Sequence, residues 1–155
     1  MTKNIKEKLM RLAMTEADKA SAEGNYPFGA VVADETGKIF ASAHNTQITD
    51  HDSTVHAEFN LIRYLSKKHD REEFSSFFLE SNAESCSMCF SAAIKAGILH
   101  LIFGAPSEPH MEPFLTVKNI VRFCRVNLDI SYGVLKEDCI RQIAETRSYQ
   151  NHIAQ

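Results

Sequence analysis

The chain has 155 residues, of which 44% are hydrophobic and 24% charged, with a formal net charge of −3. This length fits one domain, residues 1–155, with a core that needs no disulfides. The acidic balance gives no global attraction to nucleic acid, and no apolar run reaches the ~18 residues of a membrane span. The N-terminus lacks a secretory pattern, so we expect a cytoplasmic protein.

Helices and strands alternate along most of the chain. Apolar residues of the first twenty positions recur at helical spacing, and Gly24 ends that helix. Two strands, FGAVVAD and KIFASAH, flank the turn signal ETG. The elements predicted after them are a helix over 55–68, a strand at SSFFLES, a helix over 86–96 capped by Gly97, a strand at ILHLIFGA, a helix from Phe114 to Cys124, a strand at VNLDISYGV and a helix over 135–147. This alternation predicts an α/β fold with a mostly parallel sheet and helices on both faces.

Two of the four cysteines stand three positions apart in ESCSMC, residues 84–89. If Cys86 begins a helix, Cys86 and Cys89 lie on one helical face, and both sulfurs can reach one ion. A helix N-terminus also stabilises thiolates. The spacing is equally that of a redox pair, or of a structural zinc site if a fourth protein ligand exists. We interpret Cys124 and Cys139 as small buried apolar residues.

A third candidate ligand lies in VHAEF, residues 55–59. We expect His56 in the first turn of the 55–68 helix, where the N-termini of two neighbouring helices can converge on one ion. A catalytic zinc keeps three protein ligands, leaves one position for water and lowers the pKa of that water to near 7. Glu58 points away from His56 on a regular helix, so it suits a proton carrier better than a ligand.

HAE at 56–58 with CSMC at 86–89 resembles the zinc-dependent cytidine deaminase superfamily, whose signature is H-x-E followed by P-C-x-x-C. FGAVV, ILHLIFGA and YGVLKEDC resemble further segments of the family, so the resemblance covers most of the chain. It implies a cytidine deaminase-like fold, a three-layer α/β/α sandwich around a five-stranded mixed sheet. It also implies one zinc ion per chain and a homodimer.

The resemblance assigns the metal site and the proton carrier. By similarity, His56, Cys86 and Cys89 hold zinc. Glu58 takes a proton from water, protonates a ring nitrogen of the substrate and later protonates the departing amine. The bond between a ring carbon and its amino group is thereby hydrolysed, and ammonia leaves.

The resemblance also implies contacts to the substrate. Ala57 and Cys86 occupy positions whose backbone N–H groups steady the substrate in the family. Asn45 matches a substrate-binding asparagine, although asparagine also commonly satisfies a turn. Phe28 lies where the family has an apolar pocket wall, although an aromatic residue is as readily part of the core.

The motifs PFGAVV, HN and DSTVHAE resemble bacterial guanine deaminases, whereas YGVLKEDC is closer to bacterial tRNA adenosine deaminases. The C-terminal ETRSYQNHIAQ is nearly neutral and lacks a basic surface for RNA phosphates. We therefore favour a free nucleobase or nucleoside, with guanine first. The alternatives are a tRNA adenosine deaminase, a cytosine or cytidine deaminase, an inactive deaminase-like protein and a non-catalytic RNA-binding relative.

Ser85 stands where the family signature has proline. Proline suits the first turn of a helix because it needs no N–H partner and its φ is already near helical. Serine is a strong N-cap residue. We therefore expect the Ser85 hydroxyl to cap the helix that begins at Cys86.

Overall fold

A computed structural model describes residues 1–69, 71–108 and 115–153. The predicted alternation of helices and strands is confirmed within these ranges. No helix in the described part of the chain combines the length and apolar character needed to cross a membrane. The elements are α1 (Lys3–Ala22), β1 (Gly29–Ala33), β2 (Ile39–His44), α2 (Ala57–Leu65), a 3₁₀ helix (Arg71–Ser76), β3 (Phe78–Ala83), α3 (Ser87–Ala96), β4 (His100–Ala105), α4 (Val117–Val121), β5 (Asp129–Tyr132), α5 (Lys136–Glu145) and α6 (Arg147–Ile153).

The five strands form one mixed sheet in the order β2-β1-β3-β4-β5. Strand β1 runs antiparallel to both β2 and β3, whereas β3 with β4 and β4 with β5 are parallel. The expected five-stranded mixed sheet is confirmed. The sheet is less parallel than the alternation predicted, since only the pairs joined by crossover helices are parallel.

Helices cover both faces of the sheet, which confirms the three-layer α/β/α arrangement. Successive residues of a strand point to opposite faces. In β1, Ala30 and Val32 therefore pack in the core with α2 and α3. Val31 and Ala33 pack in the second core with α1 and α5. Gly29 lets α1 approach the start of β1, because a Cβ there would lie 2.1 Å from the carbonyl oxygen of Ala13.

Two helices begin later than the sequence predicted. His56 has an extended backbone, with φ −66° and ψ 159°, so it is the N-cap of α2 and not part of its first turn. Cys86 has φ −68° and ψ 167°, so it is likewise the N-cap of α3. The C-terminal end of α3 is as predicted, because Gly97 adopts the left-handed conformation with φ 101°.

The C-terminal third also differs from the prediction. The helix expected from Phe114 is the short α4, and Phe114 itself lies outside the described residues. The single helix predicted over 135–147 is α5 followed by α6, because Thr146 is extended at φ −79° and ψ 125° and separates them. Cys139 is fully buried, as predicted. Cys124 packs against the α2 and α3 core but is only half-buried, so its predicted burial is confirmed in part.

Glu80 in β3 is fully buried, and neither carboxylate oxygen has a hydrogen-bond partner in the described structure. Burial raises the pKa of Glu80 from 4.5 to about 9, against a smaller opposing effect of the Lys6 charge. The folded protein therefore binds a proton that the unfolded chain releases between these two pH values. Stability is then lost as pH rises through that window, at about 1.4 kcal/mol per pH unit.

We expect Glu80→Gln to flatten this pH dependence, because an amide does not ionise. Urea unfolding of both proteins across the window measures it, and the free energy of unfolding of the wild type should fall more steeply with pH. Parallel profiles for the two proteins would show that Glu80 does not titrate as described.

Candidate metal centre and active site

Three side chains of ligand type meet where α2 and α3 begin. The two helices pack side by side, with His56 and Cys86 as their N-caps and Cys89 in the first turn of α3. The ligand atoms of the three residues all lie within 4.8 Å of one another. The Cys86 Sγ is 3.6 Å from Nδ1 of His56. The fold therefore brings together the three residues that the two motifs predicted, from segments thirty positions apart.

The Cys86 and Cys89 side chains are hydrogen bonded to each other, and this contact separates the pKa values of the two thiols. A hydrogen bond from Cys89, followed by one from His56, lowers the pKa of Cys86 to about 4 despite its burial. The pKa of the Cys89 thiol is raised, first because its proton is held by Cys86 and then because the thiol is buried. A cation between the two sulfurs would take the place of this proton, since metal ligands bind as thiolates.

Burial and the neighbouring Cys86 and Glu58 side chains also shift the pKa of the His56 imidazole. Burial opposes its charged form most strongly. The hydrogen bond to Cys86 and the charges of Cys86 and Glu58 outweigh that effect, so the pKa of His56 is raised. The ring also hydrogen bonds to the backbone of Ser53. Such a backbone partner orients the imidazole, as is usual for a metal-binding histidine.

This donor set fits a zinc ion. Two sulfurs and one imidazole nitrogen are ligands that zinc accepts, in a group small enough to surround one ion. Among the residues the structure describes, the group has three members. A structural zinc site uses four protein ligands, whereas a catalytic site uses three and keeps a position for water. The geometry therefore favours a catalytic site.

Glu58 lies in the first turn of α2, beside these residues, and is 5% exposed. Burial, followed by the negative charge of Cys86, raises the pKa of Glu58. Its own backbone N–H, the charge of His56 and a hydrogen bond from Ser85 act in the opposite direction. A buried carboxyl with a raised pKa beside a candidate metal site has the properties expected of a general base.

The expectation that Ser85 caps α3 is wrong. Cys86 takes the N-cap position, and α3 has no side-chain cap. The Ser85 hydroxyl instead donates a 2.7 Å hydrogen bond to Oε1 of Glu58. The physical reason is position: Ser85 lies one residue before the cap, where its side chain faces the start of α2.

A cavity of about 260 Å³ opens beside the three candidate ligands. Phe28 lines it, in the position expected of a pocket wall. Tyr149 of α6 meets the Phe28 ring edge-on, with the ring centroids 6.3 Å apart. The lining residues are Tyr26, Phe28, Gln47, His56, Glu58, Ser81, Ala83, Glu84, Cys86, Ser107 and Tyr149. The cavity thus combines aromatic walls, polar side chains and the candidate metal site.

The family model of the cytidine and deoxycytidylate deaminase zinc-binding region matches residues 3–105, which include all three candidate ligands and Glu58. The chain belongs to this deaminase family. Its members are zinc-dependent hydrolytic enzymes that act on C–N bonds, and zinc is the cofactor of this deaminase.

Proteins similar to this chain are named for different substrates. The tRNA-specific adenosine deaminase of Haemophilus influenzae is 32% identical over 140 residues, 89% of this chain and 80% of the relative. A probable cytosine deaminase of Schizosaccharomyces pombe is 33% identical over 99 residues, 64% of this chain and 59% of the relative. A guanine deaminase structure from Nitrosomonas europaea superposes with a TM-score of 0.81 at 22% identity, covering 90% of this chain and 83% of that one. The last similarity shows the fold alone.

Two residues expected to bind substrate do not line the cavity of this deaminase. Asn45 is fully buried, with its amide nitrogen directed to Oε1 of Gln47 and its amide oxygen accepting the Gln47 backbone N–H. Gln47 itself lines the cavity. Ala57 begins α2 and is fully buried. Contact of Asn45 and Ala57 with substrate therefore stays a prediction.

Several lining residues of the deaminase were not found from its sequence. Tyr26, Gln47, Ser81, Glu84 and Ser107 carry no motif. A usable signal exists for three of them, because Ser81, Glu84 and Ser107 lie in or just beyond the carboxyl ends of β3 and β4. Ligands of α/β sheets gather at those ends. Tyr149 gave no signal, since the helix that carries it was not predicted.

Proposed function

We propose that this deaminase acts on a free nucleobase or nucleoside, with guanine as the favoured substrate. The cavity carries the proposal. Its volume of about 260 Å³ lies below the range of about 300–1,000 Å³ typical of pockets for drug-sized ligands, so it suits a single heterocycle. Phe28 and Tyr149 provide aromatic surfaces on which such a ring can pack.

The charges around the cavity also support a substrate without phosphate. The described lining residues include the carboxylates of Glu58 and Glu84 but neither lysine nor arginine. The Oε2 atom of Glu84 accepts the backbone N–H of Ser107 at 3.1 Å, which fixes this carboxylate at the cavity wall. Residues 136–153 of the two C-terminal helices contain three basic and three acidic residues. The cavity lining and the two C-terminal helices therefore offer little electrostatic attraction to the phosphate groups of RNA.

His56, Cys86 and Cys89 would hold the zinc ion. When bound, zinc supplies Lewis-acid activation of water near neutral pH. We propose that Glu58 accepts one proton from that water and delivers it to a ring nitrogen. Glu58 would then take the remaining proton from the oxygen that has added to the ring carbon and pass it to the departing amine as the C–N bond breaks. The amino group is replaced by a carbonyl oxygen from water, and one molecule of ammonia is released. Burial of Glu58 excludes bulk water that would compete for its proton.

Substrate orientation would rest on backbone and amide groups near the metal. We propose that the N–H groups of Ala57 and Cys86 steady the ring, because both residues lie at helix N-termini where N–H groups are free to donate. Asn45 would act with Gln47, since the two side chains are hydrogen bonded and Gln47 reaches the cavity.

A tRNA adenosine deaminase is the second candidate, and the sequence similarity to the Haemophilus influenzae enzyme over most of both chains favours it. Guanine is supported by the resemblance of PFGAVV, HN and DSTVHAE to bacterial guanine deaminases. An identity near one third leaves room for a change of substrate, because the site and not the fold decides which substrate binds.

Ammonia release from zinc-loaded protein tests these alternatives. The panel contains guanine, adenine, cytosine, their nucleosides and a tRNA anticodon hairpin. We expect turnover of guanine that changes little with ionic strength, because a neutral base binds without counterion release. Activity on the hairpin alone, with a steep loss at higher salt, would replace the first candidate by the second. No turnover of any member of the panel would contradict the proposed function.

A further inference from the structure

The environment of Ser85 differs from that of a helix cap. Ser85 follows the end of β3, is 4% exposed and is separated from Glu58 by 27 positions in the chain. Its hydroxyl is used in one short hydrogen bond, 2.7 Å long, to Oε1 of Glu58. This hydrogen bond between two buried side chains therefore connects the segment before α3 with the first turn of α2.

We propose that Ser85 is a positioning residue for Glu58. The hydroxyl occupies Oε1 and holds the carboxylate in one rotamer, so that Oε2 is the oxygen left for the substrate side. This inference rests on the proton-carrying role of Glu58 in the proposed function. It applies equally to a base, a nucleoside or an RNA substrate, because it concerns the carboxylate alone.

The flexibility of the Glu58 side chain explains why a positioning contact is needed. Glutamate has three rotatable side-chain bonds, whereas a proton carrier must stay within hydrogen-bond reach of its target. A misplacement of about 1 Å can cost a reaction about 100-fold. The hydrogen bond from Ser85 is charge-assisted when Glu58 is ionised and persists when the proton lies on Oε2, since Oε1 can then still accept.

Ser85 replaces the proline of the family signature, and its hydroxyl makes a hydrogen bond that proline cannot make. Proline has no hydroxyl, so a proline at this position would leave Oε1 of Glu58 to other donors. The neighbouring loop is anchored independently, because the backbone N–H of Glu84 donates to the carbonyl of Ala105 at 2.8 Å. The backbone of this segment is thus held by at least one hydrogen bond that does not involve the Ser85 hydroxyl.

Steady-state kinetics on the zinc-loaded protein test the inference. Ser85→Ala removes one oxygen atom and should lower kcat about 10- to 100-fold, with KM and the zinc content per chain close to wild type. Ser85→Thr keeps the hydroxyl and should recover most of the lost kcat. In the Glu58→Gln background, Ser85→Ala should cause no further loss. A Ser85→Ala protein with wild-type kcat, or a loss of kcat explained by zinc loss, would overturn the inference.

A second measurement needs no activity. Ser85→Ala, Glu58→Ala and the double variant form a cycle in which the unfolding equilibrium constant is measured for each protein. We expect a coupling of about tenfold or more, the size of a hydrogen bond to a charged group. Additive effects would overturn the inference. An inactive wild type that shows this coupling would contradict the proposed function alone, whereas an active wild type without coupling would contradict only the role of Ser85.

Discussion

Glu58→Gln is expected to lower kcat by about 10²- to 10⁴-fold, the usual contribution of a general acid or base. The amide is close in size to the carboxylate and can still accept a hydrogen bond from Ser85, so the start of α2 should keep its structure. It cannot take a proton from water or return one to the leaving amine. Turnover of the best substrate and zinc content per chain, measured on the same preparation, give the result.

A matched control is available in the neighbouring strand. Glu80→Gln makes the same change at another buried carboxylate, on a residue that does not line the cavity. It should alter stability but leave kcat within about threefold of wild type, since effects at sites without shared partners are usually independent. Near-normal turnover in Glu58→Gln, with zinc retained, would remove Glu58 from the reaction.

Cys89→Ala is expected to reduce bound zinc from one ion per chain to well below one. Two donors, His56 and Cys86, would remain, and two protein ligands rarely hold zinc against dilution. Loss of the ion also removes its contribution to folding, about 3 to 4 kcal/mol when free zinc exceeds its dissociation constant by about 100- to 1,000-fold. Metal analysis of purified protein and thermal unfolding with and without added zinc measure both effects.

Cys124→Ala is the appropriate control, because Cys124 is half-buried and lies outside the group of candidate ligands. It should retain full zinc content, and its unfolding temperature should still rise on addition of zinc. A Cys89→Ala protein with an unchanged zinc content would exclude Cys89 from the ligands. The comparison separates the loss of a ligand from the general cost of shortening a partly buried side chain.

The motifs anticipated the residues that meet at the candidate metal site but not the backbone at that site. The i, i+3 spacing of Cys86 and Cys89 holds equally for a cysteine at the N-cap, so the prediction that both sulfurs face one ion did not depend on where α3 begins. The exact starts of α2 and α3 were wrong by one or two residues. A helix boundary is set by the free N–H groups and neighbouring side chains, which apolar spacing does not report.

The assignment of Ser85 failed for a different reason. A serine before a helix is a good cap by local preference, and local preference was all that the sequence offered. The alternative partner, Glu58, is 27 positions away and becomes available only when α2 and α3 lie side by side. Similarly, Tyr149 reaches the cavity because α6 folds back toward Phe28, a contact between opposite ends of the chain.

The sequence by itself determined the chemistry of this protein: a His-x-Glu and a Cys-x-x-Cys, each before or within the first turn of a helix in an alternating α/β chain. Such short-range patterns can be interpreted without the tertiary structure, because the spacing of ligands along a helix is a local property. Only the tertiary structure decided what surrounds that chemistry. It placed a hydroxyl on one oxygen of Glu58, put Gln47 instead of Asn45 at the cavity wall and brought Tyr149 against Phe28. These are contacts between distant segments, fixed by packing and hydrogen bonding across the sheet, and no local pattern contains them.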